Sequence, residues 1–196
     1  MRVAILALAL AGAACTTADP ATDYARFRSE VSVRTDEEGW QVASSAPSNE
    51  AKNANLYSGG EALAMWVLVL QPPEGVATVV FAGSRARSIP QADVKPTEEQ
   101  GPWDRPEPAH VGNPWREADF AFTQRRTECY GEAYWCNRLQ QFSVTLTPEM
   151  VKAFIAEDAP DTIPIALFTR RDVDWRITRA ELLATLDAAG ATERFR

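Results

Sequence analysis

Histidine and lysine are scarce in this chain. One histidine, His110, and three lysines, Lys52, Lys95 and Lys152, stand among 196 residues. A single histidine excludes zinc sites built on two imidazoles, the H-E-x-x-H metallopeptidases among them. It could orient only one nucleophile, and no G-x-S-x-G elbow presents a serine beside it. No lysine has a serine three residues before it, so the S-x-x-K acylating pair is missing as well. The glycine-rich phosphate cradles G-x-G-x-x-G and G-K-[ST] are absent. A basic surplus is also lacking: 20 Lys and Arg against 27 Asp and Glu leave a net charge of -7. Nucleic acid is therefore not an expected partner, because phosphate neutralisation over an interface needs an excess of positive charge. No apolar run reaches the length of a membrane span. At 45% hydrophobic the chain is still too apolar for a disordered tail, and it is too short for two full-sized domains.

What is present begins with an address. Arg2 is followed by Val3 to Ala11 without a polar side chain, then by Gly12-Ala13-Ala14. A positive start, an apolar middle and small residues before a cut site are the anatomy of an export signal, expected over residues 1–14. Leu10-Ala11-Gly12-Ala13-Ala14-Cys15 resembles the signal of bacterial lipoproteins. The resemblance implies that Cys15 is acylated and becomes the mature N-terminus, tethering a periplasmic protein to a membrane, with the outer membrane as the expected one. Gly12 departs from the usual aliphatic residue. A soluble periplasmic or secreted protein is the alternative, and export removes one arginine and no acid.

With Cys15 set aside, Cys129 and Cys136 remain, bracketing six residues between two strand-like runs. In an oxidising compartment they would close the end of a hairpin as a disulfide. Two free buried thiols or half of a metal site are the rival readings, although the spacing is neither a redox C-x-x-C nor a zinc knuckle.

The body, residues 26–196 after a polar leader at 15–25, reads as one α+β domain. Its expected form is a mostly antiparallel sheet of hairpins with two C-terminal amphipathic helices packed on it. Phe27–Thr35 and Trp40–Ser44 read as strands about a turn at Asp36-Glu37-Glu38-Gly39, and residues 45–60 read as loop. Ala62–Leu70 and Val76–Ala82 are almost wholly apolar, which marks a hairpin covered on both faces at the sheet centre. Six prolines break the stretch 88–115, expected as an ordered surface excursion that Trp103 and Trp115 could pin to the sheet. Arg116–Glu128 alternates, placing Phe120 and Phe122 on one face and Asp119, Thr123 and Arg125 on the other. Leu139–Leu146 pairs back with it. Thr147 caps a helix carrying Met150, Val151, Phe154 and Ile155, and after a strand pair Thr178 caps a second with Leu182, Leu183 and Leu186 inward. Glu181 completes a capping box there, and Gly190 stops the helix. The similar endings Leu146-Thr147 and Ile177-Thr178 suit either an internal duplication or the few ways a strand feeds a capped helix. Residues 116–190 loosely resemble uncharacterised exported proteins of Gram-negative bacteria with a cysteine-closed hairpin, which implies compartment and architecture but no activity.

No catalytic residue, cofactor or metal site emerges from this pattern. Asp172-Val173-Asp174 lacks the glycine and distal glutamate of a calcium loop and reads as a polar turn. Trp103, Trp115, Tyr130, Tyr134 and Trp135 form the candidate binding surface, since rigid aromatics anchor partners well; a small satellite core is the plainer use. Arg125-Arg126 and Arg170-Arg171 could grip an anion or pair with neighbouring acids. The first expectation is an envelope lipoprotein that binds another envelope component or a small ligand without catalysis. The alternative is a periplasmic hydrolase using a carboxylate pair, on glycan for instance, with Glu98, Glu99, Asp104 and Glu107 near the two tryptophans. Mass spectrometry of protein made in a Gram-negative host should find a mature chain that begins at an acylated Cys15. An N-terminus at Met1 or Arg2, or an unmodified Cys15, removes the anchor.

Overall fold

A computed structural model describes residues 20–52, 61–90, 108–129, 135–167 and 175–196. In chain order the elements are α1 (Pro20–Glu30), β1 (Ser32–Thr35), β2 (Gln41–Ser44), β3 (Ser48–Lys52), β4 (Glu61–Gln71) and β5 (Thr78–Pro90). They continue as β6 (Ala109–Val111), β7 (Arg116–Cys129), β8 (Trp135–Leu146), α2 (Pro148–Ile155), β9 (Thr162–Ala166), β10 (Trp175–Thr178) and α3 (Arg179–Ala188), closed by a short 3-10 turn at Thr192–Arg194.

The two most apolar runs pair as β4 and β5 and sit inside an antiparallel sheet, as their composition requires. The sheet runs β1-β2-β4-β5-β8-β7-β6-β9-β10, and β3 joins β4 beside β2. It curls far enough for β10 to approach β4. One face is the core side. Val69, Val79 and Leu146 form one cross-strand row on it; Val67, Phe81, Val144 and Phe120 form the next; Met65, Gly83, Phe142 and Phe122 a third. Gly83 is required in that third row, because a Cβ there would stand 2.4 Å from the Phe142 ring. Met150, Val151 and Phe154 of α2 and Leu182 and Leu186 of α3 bury against these rows in one cluster.

The caps are those expected. Met150 N–H donates to Thr147 Oγ1 at 3.3 Å, and Glu181 N–H donates to Thr178 Oγ1 at 3.1 Å. Gly190, at φ +63°, ends α3, with Ala191 N–H returning to the Leu186 carbonyl at 2.9 Å. At the β1–β2 turn Gly39 takes φ +83°, while the Asp36 carboxylate accepts from Glu38 N–H and Trp40 N–H.

Four expectations need correction. Residues 20–30 are helical, so α1 crosses the boundary drawn at residue 25 and takes in the start of the strand read over Phe27–Thr35. Proline suits the first helical position, and α1 packs on α3, where Tyr24 Oη donates to Asp187 Oδ2 at 2.5 Å. There are thus three helices among the described residues, where two were expected; α2 lies between β8 and β9, in the chain position read for it. The stretch read as loop holds β3, which continues β2 along β4 after a slip of one residue at Ser45-Ala46-Pro47. Leu183 is only half-buried, because Leu182, Thr185, Leu186 and Ala189 share the inward stripe and Leu183 falls beside it. The strand β7 is the fourth case: its register breaks between Phe122 and Gln124, so Thr123 is extra and every later residue changes face.

Phe154→Ala and Leu182→Ala should each cost about 2–5 kcal/mol in thermal or urea melts. Leu183→Ala should cost clearly less. Equal losses at 182 and 183 would mean that α3 is rotated from this orientation.

Candidate functional site

The face of the central strands away from the helices is also apolar. Trp66, Leu68 and Leu70 of β4 alternate with the core residues and stand beside Ala82, Val80 and Thr78 of β5. Val80 and Ala82 are each only 7% exposed, yet neither belongs to the main core cluster. Across the next two strands the chemistry changes. Thr145, Ser143 and Gln141 of β8 continue the rows, followed by Asp119, Ala121 and Gln124 of β7. The result is an open hollow of about 490 Å³ with a tryptophan and branched aliphatics on one flank and hydroxyl and amide groups on the other. Its lining includes Thr123, the extra residue of the β7 bulge, and among the described residues contains no charged side chain.

This size lies within the range of small-molecule sites, which are mostly apolar with a few polar groups to fix orientation. An uncharged lining has little to offer an ion but suits a neutral ligand with an apolar body and a hydrogen-bonding edge. A second groove, between Gly112–Arg116 and α2, encloses about 50 Å³ and has room for water only.

On the helix side the notable polar group is Glu181, 3% exposed. Its Oε1 accepts from Ser45 Oγ at 2.7 Å, and Ser45 Oγ accepts from Val67 N–H at 2.9 Å. Thr178 N–H also bonds the carboxylate, completing the expected capping box. Burial pushes the Glu181 pKa up to about 7, against the opposing pull of the Ser45 and Thr178 hydrogen bonds and of Arg26, while Glu30 adds to the rise. The group is sealed where α3 meets the β2–β3 slip, which makes it a structural acid and not one of a catalytic pair. Glu98, Glu99, Asp104 and Glu107, named for the hydrolase reading, lie outside the described residues. Among the described residues no three His, Cys, Asp or Glu side chains gather in a way that could hold a metal.

Of the aromatic surface expected from the sequence, only Trp115 and the backbone of Trp135 fall among the described residues. Trp103, Tyr130 and Tyr134 lie outside the described residues, as do Cys15 and the pair Arg170-Arg171. Trp135 is placed by its backbone, opposite Pro90. Trp115, 39% exposed, stands on the turn before β7, whereas Trp135 follows the hairpin beyond its other end. At ~3.3 Å per residue the length of β7 separates them by about 40 Å of strand, too far for one small site. Cys129 and Cys136 do form a disulfide, directly paired across the end of the β7–β8 hairpin with a Cα–Cα distance of 4.3 Å. Arg125 and Arg126 point to opposite faces, and Arg126 Nε pairs with Glu128 Oε1 at 3.1 Å. The hollow itself was foreshadowed by the apolar residues at both parities of β4 and β5. The particular residues Trp66, Leu68 and Val80 carried no signal that separated them from core.

Compared with protein-family models, curated proteins and solved structures, the chain matches none of them.

The raised Glu181 pKa has a defined sign in stability. An unfolded carboxyl titrates near 4.5, so between about pH 4.5 and 7 the folded chain keeps a proton that the unfolded chain releases. Stability should fall as pH rises across this window and level off above it, by up to ~3 kcal/mol for a shift of this size. Glu181→Gln, which still accepts from Ser45, should flatten the dependence in urea melts at pH 5 and 8. An unchanged slope would assign it to other groups.

Proposed function

We propose that this protein is a non-catalytic binding protein of the bacterial envelope that holds a neutral, largely apolar small molecule in the sheet hollow. The observation that carries the reading is the hollow itself: Trp66, Leu68, Leu70, Val80 and Ala82 on one flank, Gln141, Ser143 and Thr145 on the other, and no charge among the described lining residues. A surface open to water gains little from such a row of large apolar side chains unless something covers them. Burying a ligand against them supplies that cover at roughly 25 cal/mol per Å² of apolar area. The hydroxyl and amide flank then orients the ligand's polar edge. Among the described residues the one carboxyl with a raised pKa, Glu181, is locked in a helix cap, and so lends no support to the hydrolase reading.

The compartment rests on other features. The signal-like segment 1–14 and Cys15 support export and a lipid tether. The Cys129–Cys136 disulfide is compatible with an oxidising compartment such as the periplasm. No helix among the described residues is long and apolar enough to cross a membrane. A lipid on Cys15 would hold the domain at a membrane surface, where apolar small molecules partition.

Nile red, a neutral apolar dye, tests the hollow directly. Its emission should rise and shift to the blue on mixing with the protein, with saturable binding. Leu68→Asp places a charge among the lining residues and should weaken that binding at least tenfold while the melting temperature stays near the parent's. Trp66→Phe should bind the dye with less than a threefold change. Equal dye binding by the parent and Leu68→Asp would place the apolar site elsewhere.

A further inference from the structure

We infer that the end of the sheet bearing the β1–β2, β4–β5 and β6–β7 turns is a docking surface for a lipid bilayer. Among the described residues four large apolar side chains are exposed: Val33, Trp40, Val76 and Trp115. The last three lie in the connections between strands, and the pairing gathers those connections at one end. Thr35 pairs with Gln41, Gln41 with Gln71, and Leu70 with Thr78, so the first two turns adjoin. A Cβ added at Gly39 would stand 3.5 Å from the Pro73 ring. Val79 pairs with Leu146 and Thr145 with Asp119, which brings the start of β7, and Trp115 before it, to the same end. Trp40, Val76 and Trp115 thus follow one another along this edge at steps of two strands, about 10 Å each.

A flat partner fits this arrangement. Turns projecting from three hairpins make an edge and not a pocket, so a plane meets all three at once. Val76 is 64% exposed, and covering it removes apolar surface from water. Tryptophan favours the boundary of a bilayer, where the ring lies in apolar surroundings and its N–H among headgroups. Charges at this end are mixed: Asp36, Glu37, Glu38 and Glu74 stand on the turns, with Arg34 and Arg194 beside them. The acids keep the contact shallow, and no preference for anionic lipid is expected.

The path of the chain selects a bilayer over another protein. Helix α1 packs antiparallel to α3: the charges of Arg26 and Glu30 bear on Glu181 in the first turn of α3, and Tyr24 bonds Asp187 in its last. Helix α3 itself runs toward the turns, since Arg194 beyond it donates to the Gly75 carbonyl at 2.5 Å. The N-terminus of α1 therefore faces the same end as Trp40 and Val76. Pro20 follows Cys15 by five residues, a fully extended reach of ~18 Å. A lipid on Cys15 would hold this end, and not the disulfide end, against the membrane. The choice of occupant rests on the tether proposed above; the exposure of the three side chains does not. The apolar flank of the hollow runs along β4 from Trp66 through Leu70 to the same turns, so a bilayer seated there adjoins the hollow.

The protein as exported by a Gram-negative host, mixed with phosphatidylcholine vesicles brominated on their acyl chains, tests this. Flotation reports attachment, and bromine quenching of tryptophan emission reports which rings reach the acyl region. The parent should float and be quenched. The double variant Trp40→Phe/Trp115→Phe should float through the anchor with its fractional quenching cut at least twofold. Val76→Asp, at an exposed position, removes no fluorophore and should lower quenching by a similar factor while melting near the parent. Leu68→Asp, which disables the hollow, should be quenched as the parent is, so that docking and ligand binding are read separately. Flotation of the parent but not of Val76→Asp would support docking and remove the tether. A parent that floats with no quenching, or quenching equal in the parent and Val76→Asp, would overturn the inference and leave the tether standing. A parent that does not float overturns both. A dimer lost in Val76→Asp, with no quenching of the parent, would overturn docking and give this end to a second copy.

Discussion

Central strands that are apolar on both faces need two covers. The physics of β4 and β5 imposes this requirement, and much of the molecule answers it. Water solvates neither the Met65, Val67, Val69 side nor the Trp66, Leu68, Leu70 side well. Helices α2 and α3 answer for the first side, with Leu182, Leu186, Val151 and Phe154 all buried there. The second side ends in a hollow whose far flank is made polar by β8 and β7. The proposed function rests on that asymmetry: helices fill one face, and on the other the described residues leave a hollow.

The two irregularities in the ladders matter as much as the regular pairing. At Ser45 the β2–β3 strand slips by one residue, and the serine hydroxyl reaches both the Val67 amide and the buried Glu181 carboxyl. Strand slip, helix cap and core are joined there by groups that must all stay satisfied, since a buried carboxyl without partners would be costly. At Thr123 the second slip turns the end of β7 over. It sends Arg125 to the core side and leaves Thr123 at the rim of the hollow.

The two ends of the sheet are chemically unlike. The turns at one end expose Trp40, Val76 and Trp115, whereas at the other the Cys129–Cys136 disulfide closes the β7–β8 hairpin. The disulfide fixes the pairing of β7 with β8 at this end of the hairpin, where Arg125 stands opposite Gln140 and Thr127 opposite Arg138.

The sequence by itself determined the antiparallel sheet, its central hairpin, both threonine-capped helices, the Gly190 stop and the pairing of the two body cysteines. Each is a local matter: apolar runs, caps and glycines act through neighbouring residues, and the cysteines sit at the two ends of one hairpin. It missed helix α1, whose weakly patterned surface is held by packing on α3 and by the Tyr24–Asp187 bond, partners 163 residues apart. It assigned Arg125 to the wrong face because alternation assumes an unbroken ladder, and a bulge is chosen by the partner strand. It treated Leu183 as core because three leucines in a short helix look alike until the neighbouring elements define the inward stripe. Of the tryptophans and tyrosines it grouped by proximity along the chain, Trp115 and Trp135 stand at opposite ends of β7, and the others lie outside the described residues. The hollow and the apolar end of the sheet exist only when β2, β4, β5, β8 and β7 lie side by side, because cross-strand rows are properties of register, and register is settled by tertiary packing.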